Sequence, residues 1–117
     1  MLFGTKDEVD EYTKEKIRKH LGRRRKYVKF DVHRQTPKGK WRYLLDDIAV
    51  RGKVIFRRPE NIRLDKKYRY ESKEIDSPNW LDVAEIANES IIKTGDYHHY
   101  LEGVERHGKY VDLIMGS

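Results

Sequence analysis

Apolar residues recur along this chain with two distinct rhythms, one helical and one of period two. Between Thr5 and Gly22, Val9, Tyr12, Ile17 and Leu21 fall at helical spacing, with Lys16 and His20 on the same side, which predicts a helix. The opening Thr5-Lys6-Asp7-Glu8 fits a capping box, in which the threonine hydroxyl and the glutamate carboxylate each accept the other residue's amide. Gly22 stands where a left-handed C-terminal cap falls. Acids (Asp7, Glu8, Asp10, Glu11) lead this segment and bases (Lys16, Arg18, Lys19) trail it, complementing the helix dipole. Four truly apolar positions make a thin stripe, so the helix is expected at the surface.

From Lys26 the rhythm changes to period two. Val28, Phe30 and Val32 alternate with Tyr27, Lys29, Asp31 and His33, the "TPKGK" stretch supplies a turn, and Trp41, Tyr43 and Leu45 resume the alternation, which predicts a hairpin. After Asp46 and Asp47 the apolar parity shifts to Ile48 and Val50, which implies a bulge or break. Gly52 allows a turn into a strand ended by Pro59, and Ile62, Leu64, Tyr68 and Tyr70 share one parity in a fourth strand. Residues 76–95 then read as the clearest helix. Ser77 is its expected N-cap, Pro78 its first helical position and Gly95 the residue just past its end. Trp80, Ala84, Ala87 and Ile91, widened by Leu81, Val83 and Ile86, give it a broad apolar face suited to covering a sheet. The segment from Tyr97 to Met115 predicts a hairpin turning at His107-Gly108, with Val111, Leu113 and Met115 inward and Gly103 at a kink.

These elements predict an α+β fold with an antiparallel sheet of about four to six strands: N-terminal helix, four strands, helix, C-terminal hairpin. The 117 residues fit a single domain over 1–117, long enough to bury roughly two-thirds of the surface exposed by the unfolded chain. With no cysteine, disulfides, thiol nucleophiles and cysteine-bearing zinc sites are excluded. No apolar run approaches the length of a spanning helix, so a cytoplasmic protein without a membrane partner is expected.

Charge adds the main functional lead. Residues 1–70 carry 22 basic against 10 acidic groups, +12, whereas residues 71–117 carry 4 against 10, −6, within a net charge of +6. Arg18, Arg23, Arg24, Arg25 and Lys26 cluster where the first helix gives way to a strand. Helix-dipole complementarity explains Arg18 but not three consecutive arginines after the glycine. Crowded cations repel one another, and a polyanion relieves that repulsion while releasing counterions; the arginine fork also suits phosphate. Arg57, Arg58 and Arg63 extend the basic set. Tyr68 and Tyr70 alternate with Lys67 and Arg69, which predicts core-facing tyrosines and backbone contact in preference to base reading.

The alternative chemistry lies at residues 94–108, which hold three of the chain's five histidines. On a strand Asp96, His98 and Glu102 share one face, a donor set suited to zinc, manganese or iron, while His99 faces the other way. Asp31, His33 or Asp47 are the candidate additions from neighbouring strands. His98, His99 and Glu102 could also serve as acid and base. Neither arrangement follows a metal or catalytic motif, and no cofactor motif is present. The sequence thus favours a small basic protein that contacts nucleic-acid phosphates with little sequence specificity. Its alternatives are a metal-dependent or acid/base enzyme, and an adaptor that self-associates or meets an acidic protein.

Overall fold

The computed structural model describes residues 2–23, 26–59 and 69–116. Its elements run β1 (Phe3–Gly4), α1 (Lys6–Leu21), β2 (Lys29–Phe30), β3 (Trp41–Arg42), β4 (Lys53–Arg57), β5 (Ile75–Asp76), α2 (Trp80–Thr94), β6 (Tyr100–His107) and β7 (Tyr110–Gly116). The fold is α+β. Most of the predicted fourth strand, residues 62–68, lies outside the described residues.

Both helices start where local chemistry satisfies their first amides. In α1 the Thr5 hydroxyl accepts the Glu8 amide and the Glu8 carboxylate accepts the Thr5 amide, each at 3.2 Å. Val9, Thr13, Ile17 and Leu21, four residues apart, form its buried line. Tyr12 remains exposed, with its ring edge-on to Tyr43 at 4.8 Å. In α2 the N-cap is Asn79, not Ser77. Asn79 Oδ1 accepts the Asp82 amide at 2.8 Å and Asp82 Oδ2 accepts the Asn79 amide at 3.0 Å. Ser77 is committed elsewhere: its hydroxyl accepts the Gly52 amide and its own amide donates to Gly52 O. Its positive φ of 47° is part of that turn. The following Trp80 and Leu81 amides donate to Asp47 O and Leu45 O, so the interruption of the strand at Asp46-Asp47 docks on the start of α2.

Five strands form one sheet in the order β2-β6-β7-β4-β5, while β1 and β3 pair separately. The sheet is mixed and not purely antiparallel, because β2 pairs parallel to β6 and β4 parallel to β7. Alternation locates strands and adjacent hairpins, but the joins between distant segments carry no local signal. The first hairpin shows the difference. Its turn forms, with the Thr36 amide donating to Lys40 O at 2.7 Å and the Arg42 amide to Arg34 O at 2.9 Å. Its arms then separate, β2 going to β6 and β3 to β1. The C-terminal hairpin pairs regularly from Tyr100↔Gly116 to His107↔Tyr110, with a register shift at Leu101/Gly103. Its two-residue loop is Gly108-Lys109, one residue beyond the predicted turn, and Gly108 supplies the positive φ of 65° that such loops require.

The core lies between α2 and the sheet, where Val54, Phe56, Leu101, Val111 and Leu113 meet Val83, Ala84, Ala87 and Ile91, with Val28 and Leu45 closing its sides. Among the polar side chains buried in this packing is that of Asn88. Asn88 Oδ1 accepts both the Tyr27 amide, at 2.7 Å, and the Val28 amide, at 3.0 Å. Asparagine breaks the apolar stripe of α2 because those two amides need an acceptor as the chain enters β2. Unsatisfied buried amides are costly. Asn88→Ala should therefore lower the unfolding free energy by about 3 kcal/mol, against under ~1 kcal/mol for Ile92→Ala at an exposed position of the same helix. Urea denaturation of the two variants checks this, and equal losses would deny the fork its structural role.

Candidate nucleic-acid interface

The basic residues named from sequence divide into three groups. Arg18 and Arg23 are exposed at the C-terminal end of α1, and Lys26 is exposed just before β2. Arg18 is forked onto Glu15, with Nε to Oε2 at 3.1 Å and Nη2 to Oε1 at 2.5 Å. That hydrogen bond raises its pKa. A solvent-exposed pair of this kind is worth little and exchanges readily for a phosphate. Arg23 has no carboxylate partner among the described residues, whereas Lys26 lies in the field of the Glu15 carboxylate and helps lower its pKa. Arg24, Arg25 and Arg63 lie outside the described residues.

Arg57 and Arg58 belong to the sheet. Arg57 Nε donates to Asp112 Oδ1 at 2.8 Å, and its guanidinium lies 4.8 Å from the Tyr110 ring centroid. Arg58, on the opposite face, is 5% exposed. Its Nη2 donates to Asp96 Oδ2 at 2.5 Å and its Nη1 faces the Ser90 hydroxyl at 3.5 Å. Arg58 is thereby removed from any surface that a phosphate chain reaches. Strand alternation decided this: with Arg57 over Tyr110, its neighbour must point into the core.

The same pair accounts for the histidine cluster. Residues 96–99 precede β6, and the chain folds back so that the His98 amide donates to Asp96 Oδ1 at 3.0 Å while His98 Nδ1 lies 2.6 Å from that oxygen. Tyr97, an exposed residue, stacks on the His98 ring at 4.1 Å. Asp96 and His98 are thus brought together, but Glu102 sits at the β6 irregularity with its carboxylate against Gly116. His99 lies 5.7 Å from the Tyr27 ring. Among the described residues no group of three histidine, aspartate or glutamate side chains is placed to hold a metal ion.

A cleft of about 410 Å³ opens between α1 and the segment leading through β2. Lys14 and Ile17 line it from α1, Tyr27, Lys29, Asp31 and His33 from the extended segment with Lys26 at its start, and Tyr100 from β6. The Asn88 fork fixes residues 27–28, and the β2–β6 register then sets Lys29 beside Tyr100. Lys29 Nζ lies 5.2 Å from the Tyr100 ring centroid. The opposite end of the cleft is acidic. There His33 Nε2 lies 3.4 Å from Asp10 and Nδ1 3.7 Å from Asp31, and Lys6 Nζ pairs with Asp10 at 2.8 Å. Lys14, Asp10 and Tyr100 were not singled out from sequence. Lys14 has the signal of position, one helical turn before Arg18 on α1, whereas Tyr100 and Asp10 depend on pairings that join distant segments.

Compared with protein-family models, curated proteins and solved structures, the chain matches none. No helix among the described residues is long and apolar enough to cross a membrane. The site must be read from its own chemistry.

Asp96 provides a pH signature. Burial pushes its carboxyl up, but the His98 amide, the His98 ring and the Arg58 guanidinium outweigh burial and hold it down to about 2. A folded pKa below the unfolded value of about 3.9 gives stability that is present above about pH 5 and lost as pH falls toward 2. Asp96→Asn removes that dependence. The stability difference between the native protein and Asp96→Asn should shrink by about 2 kcal/mol from pH 6 to pH 2, as measured by denaturant unfolding; a constant difference would show that Asp96 is not held anionic.

Proposed function

We propose that the protein binds nucleic-acid phosphates with little sequence specificity, using Lys14, Lys26 and Lys29 of the cleft together with Arg18 and Arg23 at the end of α1. The observation that carries this reading is the convergence of lysines from two separate segments on one cleft with an aromatic wall. Lysines that merely solubilise a surface spread apart, because like charges repel. Three lysines gathered around a concavity gain from an anion that fills it. Asp10 is engaged by Lys6 and His33 at the far end, and the pairing of Lys14 with Glu11 at 4.0 Å and of Lys26 with Glu15 is solvent-exposed and therefore weak. The surplus of basic groups over residues 1–70 supports the same reading, because it draws a polyanion toward this part of the chain.

Phosphate binding of this kind depends steeply on salt, since each neutralised phosphate releases counterions. Fluorescence anisotropy with a labelled oligonucleotide should show affinity falling as salt rises. Lys26→Ala/Lys29→Ala should weaken binding at least about tenfold at low salt and reduce the slope of log K against log salt by about 2. Binding unchanged in the double variant would remove the cleft from the interface. Equal affinity for polyglutamate would assign the cleft to an acidic protein partner instead.

A further inference from the structure

We propose, resting on the phosphate-binding reading above, that the cleft takes a single strand and not a duplex, with one unstacked base lying on Tyr100 and its amino-bearing edge turned toward Asp31. The cleft is charged unevenly along its length. A groove that follows only a sugar-phosphate backbone has no use for carboxylates, which repel phosphate. Here the lysine end gives way to Asp10, Asp31 and His33. A nucleotide has the matching polarity, with an anionic phosphate at one end and N–H donors on the base edge at the other.

The spacing follows from the strand. Lys29 and Asp31 are two residues apart in extended chain, so they share a face at about 7 Å, and the Asp31 amide is held on Leu101 O at 2.8 Å. The two side chains therefore reach the phosphate end and the base edge of one nucleotide. The Asp31 side chain is about half exposed, and its near neighbour is His33 Nδ1 at 3.7 Å, beyond hydrogen-bond distance. Its oxygens can thus accept from a ligand. Carboxylates accept from exocyclic amino groups, which cytosine, adenine and guanine carry and thymine and uracil lack.

Tyr100 supplies the platform. Its ring is covered by Lys29 Nζ in an exposed cation–π contact, a weak interaction. A phosphate draws that ammonium away and uncovers the ring, on which a base then stacks. In a duplex the bases are already stacked on one another, and only the backbone would meet the lysines. The cleft volume of about 410 Å³ lies in the range of pockets that enclose a small molecule, which admits one nucleotide and no double helix.

The test compares a cytosine oligonucleotide, a thymine oligonucleotide, a duplex of equal length and cytidine monophosphate, with the native protein and Tyr100→Ala, Tyr100→Phe, Asp31→Asn and Lys26→Ala/Lys29→Ala. The cytosine strand should bind at least about tenfold more tightly than the duplex, Tyr100→Ala should lose about tenfold on the single strand, and Tyr100→Phe should retain binding. Asp31→Asn should reduce the preference for cytosine over thymine. A duplex bound as tightly as the single strand, or no effect of Tyr100→Ala, overturns the proposal, and if the lysine variant still weakens binding the phosphate reading survives that failure. Loss of lysine dependence overturns both. Cytidine monophosphate binding as tightly as the oligonucleotide would show a mononucleotide pocket and contradict the single-strand assignment.

Discussion

A single side-chain oxygen inside the core governs where the cleft beside α1 forms. Asn88 Oδ1 accepts the Tyr27 and Val28 amides, tying the chain to α2 as it leaves the basic run. From that anchor the chain can only continue along the edge of β6. The parallel β2–β6 pairing follows, placing Lys29 opposite Tyr100. The space left between this segment and α1 becomes the cleft. Without the fork, the Tyr27 and Val28 amides would lose their acceptor, and the bonds from the Lys29 and Asp31 amides to His99 O and Leu101 O would hold the segment without its tie to α2.

The second organising element is the sorting of charge between interior and surface. Arg58 enters the core because Asp96 meets it there, and Asp96 stays ionised because the His98 amide and ring share its oxygens. An ion pair buried in this way is costly to break, since removal of one partner leaves the other uncompensated. It links the end of β4 to the turn after α2, on which β6 begins. Arg57, one residue earlier, is neutralised by Asp112 of β7. Acids of the C-terminal third thus pair with Arg57 and Arg58 at the end of β4, and Glu85 of α2 meets His20 of α1 at 2.6 Å.

The parts legible in the sequence were those set by neighbours along the chain. The Thr5 capping box, the left-handed Gly95 cap, the irregularity at Gly103 and the C-terminal hairpin all rest on interactions within a few residues; Gly22 also caps α1, but with φ 61° and ψ −123° and not the left-handed conformation expected, and Thr13 takes the buried place expected of Tyr12. The α2 N-cap was displaced by two residues because Ser77 is drawn into the Gly52 turn, a contact across 25 residues. The mixed sheet was hidden for the same reason: nothing local distinguishes a β2 that pairs with β3 from one that pairs with β6. At the candidate site, the run of bases up to Lys26 is visible in charge alone. The burial of Arg58 and the arrival of Tyr100 beside Lys29 depend on strand faces and on a parallel pairing, and these appear only in three dimensions.

The central claim is spatial, that phosphates enter between α1 and β2. Amide chemical-shift mapping by NMR during titration with a short cytosine oligonucleotide tests it directly. The account predicts the largest changes at residues 13–17, at Lys26–Asp31 and at Tyr100, all around one cleft, and little change at Arg57, Arg58 or the β6–β7 loop. Shifts concentrated on Arg51, Lys53, Arg106 and Lys109, with the cleft silent, would contradict it.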